Sequence, residues 1–534
     1  MPATAIIPAY RAAATIADTV RAARSLPGVA QTVVVDDGSD DGTADIARSA
    51  GADLVIALPS NRGKGAALQA GLDAAHNDAL LFLDADLGAT AGAAAPLLDA
   101  LSDGAHMSIA VLPARPRSGG LGLALALARA AIRLLAGLHM AAPMSGQRAL
   151  TKTLARHTGI APRFGVEVGL TVEAAHAGAA IREIPLPLDH SHTGRTLPGF
   201  LHRGRQFADI LRFLLLAGYG LGWPALPRAA ACGRLALLLL ALGGLLAAGA
   251  LTSPPAAPAI GLAIAAAIVL WLPLLWLTSV SLGLRRSNYL GRTLPAAAGL
   301  LFPVVGLLAL KLIPIGLPLG RAAFLTLAAF GALGLLDDLF GARSQARGLR
   351  GHLLALLRGR LTTGMLKAIG GLAAAVAAGS ILHPGRPDAI LADALLIALS
   401  ANLLNLLDLR PGRALKGFAL LSLPALALSP GSLHLLGPLL AAGAVSAPAD
   451  LAGRTMMGDV GANTLGAALG LALAASLGPA AQLAAIIILL ALHLICERLS
   501  LTALIARSRP LSYLDRLGTA HLPPFPADRE APTT

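Results

Sequence analysis

From Leu235 onward the chain is a succession of apolar runs: 235–252, 259–282, 295–313, 320–337, 363–380, 389–407, 417–430, 434–448, 464–478 and 481–500. There are about ten, most near the ~20 residues that an α-helix needs to cross a bilayer. Such runs have few ways to fold. In hydrocarbon every backbone N–H and C=O must find its partner within the span, which leaves helices as the solution for segments of this length. Composition agrees, since 55% of the 534 residues are hydrophobic and mean hydropathy is +0.70, well above an ordinary soluble chain. The second part of the sequence is therefore expected to be an all-α polytopic membrane domain.

The first 225 residues follow a different rule. TAIIPA, QTVVVDD, ADLVIAL and ALLFLDAD are short β-like runs, each followed by a helix-like stretch. That alternation predicts an α/β domain on a mostly parallel sheet, with its working loops at the strand C-termini. The expected organisation is 1–225 for this domain, 230–505 for the membrane domain and 506–534 for a tail. Between the two, FLHRGRQFADILRFLLLAGYG (200–220) mixes basic and apolar residues at helical spacing. It reads as an interfacial helix lying on a membrane surface.

A net charge of +13 raises the question of nucleic acid. No stretch interleaves Lys or Arg with stacking aromatics, and aromatics are only 3% of the chain, so nucleic acid is excluded as the expected partner. The basic residues fall instead in alternate connections: Arg285, Arg286 and Arg292; Arg343, Arg347, Arg350, Arg358 and Arg360; Arg410, Arg413 and Lys416; Arg454; and Arg507, Arg509 and Arg516. The positive-inside rule then places both termini in the cytoplasm, at the cell membrane, with Lys311, Arg321 and Arg386 as poor fits. Cys232 and Cys496 are too few for a disulfide framework or a zinc site. The N-terminus lacks the basic and apolar regions of a signal peptide and reads as a strand followed by a helix.

On that topology, four acids reach one membrane face: Asp337 and Asp338 in GLLDDLFGAR, Asp408 in SANLLNLLDLRPGR and Asp459 in RTMMGDVGANTLG. Taken singly, each is explained as a helix cap or an arginine partner. Together they suggest a Mg²⁺ site facing phosphates, because carboxylates at a bilayer edge are costly to keep and Mg²⁺ takes one or two carboxylates plus phosphate oxygens. Asn402 and Asn405 precede Asp408 on the same helix face as buried-looking amides.

These residues resemble a family. NYLGRTLPAAAGLLF, LLDDLFG, NLLNLLD and MMGDVGANTLG stand in the order of the motifs of the polyprenyl-phosphate N-acetylhexosamine-1-phosphate transferases, which include the phospho-N-acetylmuramoyl-pentapeptide transferases. The resemblance implies attack by a polyprenyl phosphate on the β-phosphorus of a UDP-sugar, with release of UMP. By position, Asp459 would hold Mg²⁺, and Asp337 and Asp338 would position or deprotonate the lipid phosphate. Asn402, Asn405 and Asp408 would contact the nucleotide sugar, and Arg292 and Lys367 the phosphates. Two departures stand out: Pro411 occupies the place of a second Asp in D-G-x-D-G, and a His-rich loop before the last helix is not recognisable.

The first domain carries its own acids. VVVDDGSDDGT (33–43) and FLDADLG (82–88) end strands in acidic turns, and in the second Asp84 and Asp86 lie at i and i+2, both able to reach one ion. With PAY (8–10), NRGKGAALQAGLDAA (61–75) and SGQRAL (145–150), they resemble family 2 glycosyltransferases of the GT-A fold, in particular dolichyl-phosphate mannose synthases. The resemblance implies that Pro8, Tyr10, Asp36 and Asp37 hold the nucleoside, that Asp84 and Asp86 hold Mg²⁺ or Mn²⁺ against the donor diphosphate, and that Lys64 and Arg148 also bind the nucleotide sugar. Glu167 is the candidate base, with Glu173 close by. Arg115, Arg117 and His190 are further candidates for phosphate or metal. Ala12 replaces the acid of P-A-Y-N-E, Gly88 stands where a Gln is common, and Ser191 replaces an Arg.

The leading expectation is thus a two-enzyme fusion for lipid-linked glycan assembly. Its partners would be nucleotide-sugar donors, a polyprenyl phosphate, the membrane and, as a candidate assembly, a second copy in a homodimer. The rival readings are a glycosyltransferase on a catalytically inactive membrane scaffold, and a transporter with a regulatory domain. A transporter predicts polar groups at mid-membrane and broken helices, whereas these acids gather at helix ends.

Overall fold

The computed structural model describes residues 1–113, 122–160, 165–189, 197–220, 244, 256–288, 291–312, 315–341, 362–429 and 431–519. The sequence candidates Arg115, Arg117 and His190 and, apart from Gly244, the apolar run 235–252 lie outside them. Two compact units are present, the first built on Met1–Gly218 and the second on Ala231–Leu290 and Leu294–Thr534.

Seven strands form the sheet of the first unit: β1 Ala3–Ala9, β2 Val29–Asp36, β3 Leu54–Ala57, β4 Ala79–Phe82, β5 Met107–Val111, β6 Arg148–Thr151 and β7 Ile181–Pro185. Their spatial order is β3-β2-β1-β4-β6-β5-β7. The central strands read as continuous apolar runs because helices cover both faces. Residues Ala3, Ala5, Ile6 and Ile7 of β1 and Leu80 and Leu81 of β4 have no exposed surface. Ile7, Val34 and Leu81 pack on one side of the sheet; Ile6, Leu80 and Phe82 pack on the other.

Two features of this order fix the site. The chain winds outward from β1 to β2 and β3, then crosses back to β4 on the other side of β1, so a crevice opens beyond the C-terminal ends of β1 and β4. In addition, β6 runs antiparallel to β4 with Arg148 opposite Phe82, which carries the segment just before β6 to the same edge. The α/β GT-A expectation for this unit holds.

The second unit is mostly helical. Among the described residues six helices are long and apolar enough to cross a membrane: Ala256–Ser281, Leu317–Phe340, Thr363–Leu382, Pro387–Leu407, Ser432–Leu451 and Pro479–Cys496. The expected count of about ten is not confirmed: the run 235–252 lies outside the described residues apart from Gly244, and three other runs form helices that fall short of a span by length or composition. The apolar helix Ala298–Leu310 is short, and Arg413–Leu428 has only 16 residues. Gly458–Ser476 is a 19-residue helix made less apolar by Asp459, Asn463 and Thr464 in its first two turns; it is also closely packed, since a Cβ on Gly466 or Gly470 would run into the backbone at Ala401 or Ile397.

Candidate active sites

In the first unit the acidic strand ends are fixed by backbone chemistry before any ligand is considered. Asp37 is buried and accepts two amide hydrogen bonds, from Arg62 N and Gly63 N, each at 2.7 Å. A carboxylate that takes two N–H groups behaves as a clamp on the NRGKG loop. Gly63 lies at φ 91, and the helix Lys64–Ala74 begins directly after it. Asp36 accepts from the Ser39 hydroxyl and amide. Beyond the paired ends of β1 and β2, Arg11 N donates to Ser39 Oγ at 2.8 Å, Ala12 N to Thr43 Oγ1 at 2.9 Å and Ala13 N to Asp41 Oδ2 at 3.2 Å. PAYRAA and DDGSDDGT are therefore one bonded edge, from which Tyr10 projects 47% exposed. Pro8, the penultimate residue of β1, is half-buried.

The centre of the site is Lys64. Its Nζ lies 2.5 Å from Asp84 Oδ1 and 2.8 Å from Glu167 Oε1. Burial works to lower the Lys64 pKa, but the charges of Asp84 and Glu167 outweigh it, so the ammonium is held above its ordinary value. Asp84 Oδ2 accepts from Gln147 Nε2 at 2.7 Å, and Gln147 Oε1 in turn accepts from Ser145 Oγ at 3.1 Å. The ridge is close-fitted: a Cβ on Gly146 would strike Lys64 Nζ and stand 2.5 Å from Asp84 Oδ2. Asp86 is half-buried two residues on. Between the two acids, Ala85 O accepts from Thr15 Oγ1 at 2.9 Å and Thr19 Oγ1 at 3.0 Å.

Arg148 corrects an expectation. Only 1% exposed, it does not reach out toward a donor phosphate. It donates to Ser145 O at 2.7 Å, Glu167 O at 2.8 Å, Thr171 Oγ1 at 2.8 Å and Pro143 O at 3.1 Å. Burial lowers its pKa to about 10, and its role is to tie the loop before β6 to the helix Val166–His176 that carries Glu167. Glu173 is buried further along that helix.

Sequence reading missed several of these supports. Gln147 sat inside a noted motif without an assigned role, and Thr15 and Thr19, at i and i+4 on one helix face, are a signal visible in the sequence.

In the second unit the expected acids do come together. Lys367, on Thr363–Leu382, forms ion pairs with Asp337 at 3.0 Å and with Asp459. Asp338 does something different from its neighbour: Oδ1 accepts from Asp459 N at 3.1 Å and Oδ2 from Val460 N at 3.0 Å. It thus satisfies two orphan amides at the start of Gly458–Ser476. Asp408 Oδ2 accepts from Gly458 N at 3.1 Å, and Arg286 Nη2 donates to Asp338 O at 2.6 Å.

The segment before Ala298–Leu310 is woven into the same corner. Ala298 N donates to Met456 O at 3.1 Å, Gly299 N to Met457 O at 2.9 Å and Met456 N to Pro295 O at 2.9 Å. Asn402 is exposed and Asn405 half-buried, so the pair are not the buried amides expected. Arg292 is half-buried in the turn before Thr293–Pro295. Asn463, one turn beyond Asp459, is buried with no hydrogen-bond partner for Nδ2, and sequence reading did not single it out.

Among the described residues no group of three or more His, Cys, Asp or Glu is arranged to hold a metal on protein ligands alone. Both acid sites offer hard oxygen donors, the set that fits Mg²⁺ or Mn²⁺ when phosphate oxygens and water complete the shell.

The sheet order and the acidic strand-end loops define the first unit as an α/β domain with an acidic crevice at its switch point. The relatives agree: residues 4–125 match the model of Glycosyl transferase family 2, and the first unit carries a family 2 glycosyltransferase domain. Glycosyltransferase AglJ of Haloferax volcanii is 31% identical over 186 residues, covering 34% of this chain and 60% of that protein. The glucosyl-3-phosphoglycerate synthase of Mycolicibacterium smegmatis is 31% identical over 191 residues, covering 32% and 62%. The chain thus spans about three-fifths of the length of each. A crystal structure of the Mycobacterium tuberculosis glucosyl-3-phosphoglycerate synthase with Mn²⁺, UDP-glucose and phosphoglyceric acid is 25% identical, covers 40% of this chain and 79% of its own, and has a TM-score of 0.35.

Proposed function

We propose that the chain is a bifunctional membrane enzyme of lipid-linked glycan synthesis. The first unit transfers a sugar from a nucleotide-sugar donor to a polyprenyl-linked acceptor. The observation that carries this is the Asp84–Lys64–Glu167 cluster at the switch point of a family 2 domain. Asp84 and Asp86 would hold a divalent cation, which supplies charge neutralisation for the departing nucleoside diphosphate. Glu167, aimed at the same point by Lys64, accepts the proton of the acceptor hydroxyl or phosphate as its oxygen attacks the anomeric carbon. Tyr10, Asp36 and Asp37 form the edge for the nucleoside, Asp37 through the loop it clamps.

The membrane unit transfers sugar 1-phosphate from a UDP-sugar to polyprenyl phosphate and releases UMP. Its support is the delivery of Asp337, Lys367, Asp408 and Asp459 by four separate segments to one corner. Phosphoryl transfer needs mostly positioning and charge neutralisation. Asp337 and Asp459 face Lys367 and are the pair for Mg²⁺ and the lipid phosphate, while Asp338 and Asp408 hold the backbone between them. Asn402 and Asn405 are assigned to the nucleotide sugar and Arg292 to the phosphates. Both termini and both sites are placed at the cytoplasmic face.

The test uses the whole protein in nanodiscs with polyprenyl phosphate, Mg²⁺ and a panel of UDP- and GDP-sugars, with released UMP measured separately from UDP and GDP. UMP lost in Asp459→Asn and nucleoside diphosphate lost in Asp86→Asn are the expected results. Nucleoside diphosphate alone, at every donor, would make the membrane unit a scaffold.

A further inference from the structure

The turn that carries Asp84 and Asp86 is held from outside by one helix. Asp84 follows β4, Ala85 and Asp86 form the turn, and Leu87 N returns to Asp84 O at 3.5 Å. In a turn over 84–87 the central peptide joins Ala85 to Asp86. The two common turn types differ by a flip of that peptide, which swings its carbonyl to the opposite side and takes the third residue from negative to positive φ. Among the described residues Arg11 and Ala297 are the only non-glycine residues with positive φ, so Asp86 stands in the form with negative φ. A flip would redirect its side chain relative to Asp84.

Two hydroxyls hold the carbonyl that such a flip would move. Ala85 O accepts from Thr15 Oγ1 at 2.9 Å and from Thr19 Oγ1 at 3.0 Å, and the Thr19 oxygen accepts from Gly88 N at 2.8 Å. Each hydroxyl has one proton and a longer alternative nearby, Ala12 O at 3.4 Å for Thr15 and Thr15 O at 3.2 Å for Thr19. The shorter contact is to Ala85 in both. Thr15 stands at the start of the helix Ile16–Arg24, where a threonine ordinarily caps the helix with its side chain, yet it makes no side-chain capping bond. Thr19 has no exposed surface, and a buried hydroxyl is costly unless it is bonded. Both hydroxyls are committed to the turn.

We propose that Thr15 and Thr19 are positioning residues for the divalent cation of the first unit: they exclude the flipped turn, so that Asp84 and Asp86 hold their relative directions before the cation arrives. The inference rests on the assignment of the cation to Asp84 and Asp86. Neither threonine touches the ion; both act through the Ala85 peptide.

The experiment uses the full chain in phosphatidylcholine nanodiscs, titrated with Mn²⁺ in the presence of UDP and, separately, of GDP, with the free ion followed by electron paramagnetic resonance. The share of binding lost in Asp86→Asn belongs to the first unit. Thr19→Val keeps the buried shape and removes the hydroxyl, whereas Thr19→Ser keeps the hydroxyl and removes a methyl group, so cation affinity and stability separate. Groups that orient metal ligands from outside change affinity by roughly 10- to 100-fold, and Thr19→Val is expected to weaken Mn²⁺ binding about tenfold. Thr15→Val should shift it in the same direction, and Thr19→Ser should stay near the wild-type value while its thermal midpoint falls. Hydrogen exchange across 84–90 in the metal-free chain should be faster in Thr19→Val. Wild-type affinity in both valine variants, or equal losses in Thr19→Ser and Thr19→Val, overturns the proposal and leaves the cation pair standing. Should Thr19→Val not fold, Thr15→Val, at the half-buried position, decides the matter alone. Unchanged Mn²⁺ binding in Asp86→Asn overturns the assignment of the pair and this inference with it.

Discussion

At the residue scale, the glycosyltransferase site depends on a few side chains that touch one another. Lys64 neutralises two buried or half-buried acids at once, so Lys64→Met leaves Asp84 and Glu167 facing each other without a cation. Removing one partner of a buried ionic group is expected to cost about 3 kcal/mol, read as a lower thermal or denaturant midpoint. Gly146→Ala tests geometry instead. Its Cβ has no room against Asp84 and Lys64, and a displacement of about 1 Å at reacting groups lowers turnover by up to ~100-fold. The expected result is a large loss of nucleoside diphosphate release with a small change in stability; equal losses in both would make Gly146 a folding residue. Much of this site was legible in sequence, because acids at strand ends and the i, i+2 spacing of Asp84 and Asp86 follow from strand geometry. The roles were less so. Asp37 and Arg148 look like ligand contacts on paper, and only their partners show that one clamps a loop and the other braces a helix.

At the element scale, the parallel strands were visible as apolar runs and the long spans as helices, since both patterns are written in local periodicity. The number of spans was not. Apolar runs do not record where a helix begins and ends: Ala298–Leu310 and Arg413–Leu428 are too short, and Gly458–Ser476 takes in the polar Asp459 and Asn463; nor does a window along one segment record what packs against it. The same blindness hid the docking of Arg509–Arg516, whose Asp515 is held by Arg413, about a hundred residues away. Burial pushes the Asp515 pKa up, but its hydrogen bonds with Arg413 and the charges of Arg413, Lys416 and Arg410 outweigh it and hold the group below its ordinary 3.8. A carboxylate depressed on docking contributes in full above its undocked pKa and loses that contribution as pH falls through the docked value. Docking should hold unchanged at neutral pH and fail only in acid below the ordinary carboxylate range. The fluorescence anisotropy of a dye at Tyr513→Cys checks this: a plateau down to that range is expected, with Asp515→Asn mobile throughout, and release near pH 6 to 7 would point to a different titrating group.

At the scale of the whole molecule, the question that the proposed function raises is what one chain would gain by carrying both activities. A polyprenyl-linked intermediate never leaves the bilayer, so its encounter with a second site is set by copies per unit membrane area, and covalent linkage fixes that at one partner per product even when copies are sparse. The argument needs confinement only, with no direct transfer between sites. It gives a sharp expectation for the two single variants Asp86→Asn and Asp459→Asn, each retaining one proposed activity. In nanodiscs holding one copy each, wild type carries lipid through both steps, while an equimolar mixture of the variants stops after the first because the intermediate cannot change discs. In proteoliposomes with many copies per vesicle, the mixture regains the second product. Chromatography of the lipid products distinguishes the cases. Full complementation in single-copy discs would mean that the intermediate escapes the bilayer, and absence of complementation in crowded vesicles would mean that the two sites do not act on a common lipid.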